Sequence, residues 1–555
     1  MAEVWVQVNL AYPAGDPRST PVITTEQVAY LLDEFETNIY PTEKDYFRAP
    51  DAHDGTNAQL DDILALPADY YKGDKFVILV SNVRDDAYYD PTYPNYIAGF
   101  YSPSYELYFD RNIITIDSHD WANRIGPDAA RPYLYEGIIA HEMEHLIHDD
   151  ADSDEESFVN EGIADFVIPL CGYGSMSSHM SDLVRYPENS LVAWEDQGGR
   201  EVLADYGIAY MWTLFLYEKF GTSFIKKLFN EEKNGISGIN SALQASGTSR
   251  RFADLYHDFS VALLIDWSMN NYKYGFKAEN LKIDMGTPMA PNPQAYNTPG
   301  APAWGSDYLW LNKNAKIAFF DGDDAIIHET PWTVKGGALY SGVGDLIDNW
   351  AIFEAEGGGL LTFTSMWAIE EYWDFGFVQV STDGGATWTS LPGDYTTNLY
   401  NPNAHPEIIA NLPGITGVQS TPVKMSYDLS AYAGMDVLLA FRYMTDWGTY
   451  FEGWYIWDVY VDGELITDGS DISMFMDMTE LFPIENDFTV TLVAFKNTMF
   501  GPTYVIKKIV LNDITETGYT TPSTLFYNYD KVAMIVTYDA AEGVTEYAMY
   551  NVIYG

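Results

Sequence analysis

The sequence predicts a multidomain α+β protein, with a mixed α/β domain over residues 1–290, a linker over 291–306, and antiparallel β-sandwiches over 307–468 and 469–555. Three observations carry that reading. Residues 1 to about 130 alternate strand-like with helix-like segments, and helical periodicity then continues to Tyr274. Gly286 to Gly305 (GTPMAPNPQAYNTPGAPAWG) loses periodicity and accumulates Pro and Gly, the composition of a domain boundary. Beyond Leu309 the apolar segments are short, alternate with period two and are separated by Gly, Asp and Pro.

At the start, Val4 to Leu10 (VWVQVNL) alternates apolar and polar residues, and Lys75 to Val80 (KFVILV) is an apolar run of strand length. Thr25 to Tyr40 between them reads as a capped amphipathic helix with Val28, Leu31, Leu32 and Phe35 on one side. Asp110 to Asp117 (DRNIITID) is the next strand, and His119 after it reads as a structural or surface histidine.

Tyr133 to Phe166 (YLYEGIIAHEMEHLIHDDADSDEESFVNEGIADF) carries the densest chemistry. Pro132 and the spacing of Leu134, Ile138 and His145 predict a helix beginning near Tyr133. His141 and His145 stand one turn apart on it within the pattern HExxH, so two imidazoles face one point. A catalytic zinc takes three protein ligands and leaves a fourth position for water. The longer pattern HExxHxxGxxH needs glycine at position 148 and histidine at 151; the chain has His148 and Ala151, so that ligand set fails. Asn160-Glu161-Gly162-Ile163-Ala164-Asp165 opens or continues a second helix, where Glu161 is the best third ligand. Asp165 lies one turn beyond, placed to accept the free N–H of a ligand histidine and fix its tautomer.

HExxH followed by an NEGxAD segment resembles the gluzincin metallopeptidases, and HEMEHLIH with NEGIADF is similar to the hyicolysin and immune inhibitor A-like secreted peptidases. The resemblance implies a zincin-like catalytic domain with Zn2+ on His141, His145 and Glu161, Glu142 as general base, and Asp165 behind a ligand histidine. In peptidases of that kind an edge strand near the cleft binds the substrate backbone, and Asp110 to Asp117 is the candidate, an ordinary core strand being the other reading. Asp205 to Gly221 (DYGIAYMWTLFLYEKFG) is an apolar helix stopped by Gly221. Its Tyr-Gly start is similar to gluzincin helices behind the zinc, which makes Tyr206 a candidate oxyanion donor or else a plain core aromatic. His179 is a weaker candidate.

Cys171, the only cysteine, excludes an intrachain disulfide and reads as an inert buried thiol. Phe377 to Trp388 (FVQVSTDGGATW) is a strand, a tight Asp-Gly turn and a return strand. With Leu439 to Asp446 (LAFRYMTD) and Gly453 to Val459 (GWYIWDV), it resembles the MAM-like jelly-roll domain that follows the catalytic domain in immune inhibitor A-type peptidases. That pattern has two adjacent acids where this chain has Trp457-Asp458. Asp446 and Asp458 are calcium candidates, or simply part of an abundant acidic surface. Phe488 to Phe495, Tyr504 to Leu511, Val532 to Tyr538 and Thr545 to Tyr554 make the strands of the last sandwich.

Acidic residues outnumber basic ones by 81 to 29, a formal charge of −52, which repels nucleic acid and anionic membranes. No run approaches a membrane span, and the start has neither a basic n-region nor an apolar h-region. A secreted protein is expected, with a leader outside this sequence, acting as a zinc endopeptidase on protein or peptide substrates. The alternative is an extracellular adhesion protein whose β-domains bind glycans or cell-surface components over a non-catalytic zincin scaffold, a reading with which 43 Tyr and 15 Trp are compatible. An aminopeptidase would need an acidic anchor for the substrate's amino terminus, and no GxMEN-like segment occurs.

Overall fold

The structure is a computed structural model that describes residues 2–555 apart from 68–69, 197–201, 267–272, 284, 286–293, 296–297, 313, 315–317, 500, 512–517 and 522. Contacts divide the chain into two compact units, Met1–Asp324 with Asn486–Gly555, and Ala325–Glu485.

In the first unit, Thr24 and Gln27 exchange side-chain and backbone hydrogen bonds in a capping box that starts α1 (Thr25–Glu34), where the apolar spacing places a helix. A four-stranded sheet follows, built from β1 (Ala2–Val6), β2 (Phe76–Ser81), β3 (Gly99–Tyr101) and β4 (Ile113–Asp117) in the order β1-β2-β4-β3. The pairs β1–β2 and β2–β4 are parallel, while β3 runs antiparallel to β4 along the edge. Continuous apolar runs suit strands buried on both faces, and every residue of β4 is buried. Ile113–Asp117 is therefore the ordinary core strand, and the edge expected there falls instead to Gly99–Tyr101. A strand of three residues is too short to declare itself by alternation.

Five helices complete the part of this unit that matters for the site: α2 (Leu134–Asp149), α3 (Ser157–Leu170), α4 (Ser177–Arg185), α5 (Val202–Phe220) and α6 (Phe252–Ile265). α3 and α5 touch through Gly162, where an added Cβ would sit 2.6 Å from Thr213 Oγ1 and 2.7 Å from the Ala209 carbonyl oxygen. α5 is apolar on nearly all sides because Trp212 packs among Phe252, Tyr256 and Phe259 of α6.

Part of the expected linker over 291–306 lies outside the described residues; beyond it, Ala301, Ala303 and Trp304 are buried, Trp304 against Phe252 and Tyr256. Two strands follow, β5 (Ser306–Trp310) and β6 (Ala318–Gly322).

The second unit is a two-sheet antiparallel sandwich. Its strands are β7 (Thr333–Lys335), β8 (Ala338–Tyr340), β9 (Asp348–Glu356), β10 (Leu360–Ala368), β11 (Phe375–Ser381), β12 (Thr389–Ser390), β13 (Val418–Asp428), β14 (Asp436–Met444), β15 (Gly453–Val461) and β16 (Glu464–Thr467). One sheet runs β7-β8-β15-β10-β13, with β16 on β15; the other runs β9-β14-β11-β12. Alternate residues of both sheets, among them Phe353, Phe363, Phe441 and Trp454, meet in one core together with Trp332 and Phe475.

The chain then adds β17 (Phe488–Thr498), β18 (Gly501–Leu511), β19 (Gly518–Thr520), β20 (Lys531–Tyr538) and β21 (Tyr550–Tyr554) to the first unit. They pair back onto the earlier strands in two sheets, β18-β17-β20-β5 and β19-β6-β21, and Phe320 joins the sheets by packing on Phe488 and Tyr550. The division differs from the boundaries at 290, 306 and 468 read from the sequence: 306–322 belongs with the last sandwich, while 469–485, through Phe475, belongs to the middle one. Period-two alternation marks a strand but does not name its partner.

Candidate metal centre and cleft

α2 places His141 and His145 one turn apart, and α3 brings Glu161 against them. His141 Nε2 and His145 Nε2 are 3.0 Å apart, and Glu161 Oε2 lies 3.1 Å from the first and 3.3 Å from the second. Glu161 Oε2 is buried yet makes no hydrogen bond of normal geometry to either nitrogen. Four ligands held tetrahedrally at about 2.0–2.1 Å from zinc stand roughly 3.3 Å from one another, so the spacing of these three atoms fits one shared ion.

Asp165, one turn beyond Glu161 and almost fully buried, reaches two histidines at once. Its Oδ1 is 3.0 Å from His141 Nδ1 and its Oδ2 is 2.6 Å from His179 Nδ1 on α4. Burial opposes ionisation of Asp165, but the imidazoles of His179 and His141 outweigh it and hold the carboxyl below its ordinary range. Burial likewise opposes ionisation of Glu161, and the His145 and His141 imidazoles bring its carboxyl well below that range.

Glu142 faces the other way from Asp165, toward β3. Its Oε2 accepts the backbone N–H of Tyr101 at 2.8 Å, so the outer edge of β3 and this carboxylate share one wall. β3 comes this close because residue 99 is glycine: an added Cβ there would stand 2.5 Å from Ile138 Cγ2. Burial pushes the Glu142 carboxyl above its ordinary value, against the pull of the His141 and His145 imidazoles.

Tyr206, on α5, has its ring 6.1 Å from that of His141, stacked on His179 at 4.8 Å and edge-on to Trp194 at 5.0 Å. The negative charge of Glu161, then burial, raises its phenol well above the ordinary value, so it stays protonated and able to donate. Two cavities meet here, one of about 530 Å³ past Ile97, Ile138 and Leu203 and one of about 320 Å³ past Asp149, Asp152 and Asn160. His141, Glu142 and Tyr206 line both.

His141, Glu142, His145, Glu161 and Asp165 thus come together, with Tyr206 beside them. Gly99–Tyr101 went unread as the edge because of its length. His179 emerges as the second partner of Asp165, a pairing for which a histidine fourteen residues from its carboxylate offers no sequence periodicity. His119 Nδ1 lies 3.2 Å from the Tyr12 hydroxyl, and burial pushes the Cys171 thiol up.

The two calcium candidates read from the sequence lie in different surroundings. Asp446 is buried and its carboxylate groups with those of Glu370 and Asp374, whereas Asp458 lies on the exposed side of β15 outside that group.

Two imidazole nitrogens and one carboxylate oxygen converge in a cleft, with a second carboxylate beside them, a donor set of the kind that holds a divalent ion. Residues 337–480, within the second unit, match the family model of the immune inhibitor A-like MAM domain. The match supports an immune inhibitor A-like protein with a MAM domain toward its C-terminal end. No curated protein matches the chain. Among the described residues, no helix is long and apolar enough to cross a membrane.

Proposed function

We propose that the chain is a secreted zinc endopeptidase with a zincin-like catalytic unit, His141, His145 and Glu161 holding the ion and Glu142 acting as general base. The observation that carries this reading is the convergence of His141 Nε2, His145 Nε2 and Glu161 Oε2 within 3.3 Å of one another. A bound zinc would supply Lewis-acid activation of a water and of the scissile carbonyl. The remaining tasks fall to the chain's own side chains.

Glu142 adjoins the ligands in the cleft, and its raised pKa suits it to take a proton from the attacking water and return it to the leaving amine. Asp165 accepts from His141 Nδ1, which leaves Nε2 as the ligand atom. The neutral Tyr206 phenol and the imidazole of His179 stacked on it face the first cavity, where they can donate to the oxygen on which charge develops. An extended peptide laid along the outer edge of β3 would pass Glu142, with its chain direction set by backbone hydrogen bonds. The MAM-type match of the second unit supports the same assignment, since such domains accompany immune inhibitor A-type peptidases.

The test is zinc content and casein cleavage for the wild type and Glu142→Ala. We expect about one zinc per chain in both proteins and chelator-sensitive cleavage in the wild type alone. Casein cleavage by Glu142→Ala at near wild-type rate would overturn the role of Glu142. A metal-free protein with measurable glycan affinity would favour the adhesion reading.

A further inference from the structure

The second unit gathers three carboxylates at the ends of three strands. Glu370 follows β10, Asp374 precedes β11 and Asp446 follows β14, and one ligand oxygen from each lies within 4.8 Å of the others. Asp374 is completely buried, and Asp446 is 4% exposed. Asp374 Oδ1 accepts the Asp446 N–H at 2.9 Å, while Oδ2 has no hydrogen-bond partner.

Among the described residues, no Lys, Arg or His forms an ion pair with any of the three. Asp345 adds a further negative charge nearby. Burial pushes Asp374 up to about 7, and the charges of Asp446 and Glu370 act in the same direction. A dehydrated carboxylate with a free oxygen and no cationic side chain paired to it is costly unless a cation or a proton joins it. Oxygens bound to one calcium at about 2.3–2.6 Å lie no more than about 5.2 Å apart, so this spacing admits a single shared ion. The donor set is all oxygen, which suits a hard ion over zinc or copper.

We propose that Glu370, Asp374 and Asp446 form a calcium site that ties together the ends of β10, β11 and β14. It is separate from the His141, His145 and Glu161 centre and does not depend on the hydrolytic reading.

The test is calcium titration of the full-length, zinc-loaded protein by calorimetry and thermal unfolding, for the wild type, Asp374→Asn, Glu370→Gln and Glu106→Gln. Asparagine at 374 keeps the oxygen that accepts the Asp446 N–H but removes the charge. The wild type should take up calcium with half-saturation on the order of 0.1–1 mM, as extracellular modules do, and melt at higher temperature as calcium rises. Asp374→Asn and Glu370→Gln should each weaken calcium affinity at least about tenfold, while calcium-free Asp374→Asn melts no lower than the wild type because a buried charge has gone. Glu106→Gln removes a carboxylate from the His53, Glu106 and Asp150 group of the first unit and should leave the calcium response unchanged. No calcium uptake by the wild type, or full uptake by Asp374→Asn, would overturn the proposal, as would loss of the response in Glu106→Gln. If Asp374→Asn does not fold by circular dichroism, Glu370→Gln decides on the same criterion.

Discussion

Glu142 and Asp165 are both buried carboxylates close to His141, yet their surroundings give them opposite properties. Two imidazoles hold Asp165 ionised, whereas burial dominates at Glu142 and raises it. Glu142→Gln keeps an oxygen for the Tyr101 N–H but cannot take a proton; steady-state cleavage of a quenched peptide should fall by about 10²–10⁴ with zinc retained. Asp165→Asn leaves His141 Nδ1 without its charged partner, and zinc affinity measured by competition with a chelator should weaken roughly 10–100-fold. Tyr206→Phe keeps the stack on His179 and removes only the hydroxyl, so kcat should drop by about 10²–10³ while zinc content stays unchanged. At this scale the sequence is most informative, because HExxH and Asn160 to Asp165 encode spacing along single helices, where position fixes direction. His179 could not be assigned in that way, since its meeting with Asp165 depends on how α4 packs against α3 and α5.

At the scale of elements, the close approach of α3 to α5 holds Glu161 in place. Gly162→Ala would push its methyl into Thr213 Oγ1 and the Ala209 carbonyl, and only the first of these can swing aside. We expect a loss of about 1–3 kcal/mol in urea unfolding, together with weaker zinc binding as Glu161 shifts from the histidines. Long apolar elements, α2 and α5 among them, were legible from their spacing and their start and stop signals. The edge was not. Gly99–Tyr101 is a strand only because β4 offers it a partner, and Ile113–Asp117 looks the same in sequence whether it is inside the sheet or at its rim. The surroundings of the two calcium candidates were equally hidden, since Asp446 is buried after β14 while Asp458 lies on the exposed side of β15.

At the scale of the whole molecule, burial in the folded first unit raises several acids well above the usual carboxylate range. Burial pushes Asp117 and Asp205 up to about 7 and Asp307 up to about 8, with Tyr550 as the hydrogen-bond partner of Asp307. An acid raised above its unfolded value makes the folded state hold protons that the unfolded chain has lost, so stability falls as pH rises between those two values. The metal-free protein should therefore resist urea best near pH 5 and progressively less through pH 7 and 8, and a midpoint that climbs over that range would contradict the burial of these groups. How the segments combine was the least legible feature, because β5 and β6 find their partners more than 150 residues downstream. The account as a whole rests on one ion shared by α2 and α3, and X-ray absorption at the zinc edge tests it most directly. The wild type should show two imidazole nitrogens with oxygen ligands at about 2.0–2.2 Å, and Glu161→Ala should lose one oxygen along with most of its zinc affinity. A zinc shell without histidine, or one unchanged by Glu161→Ala, would contradict it.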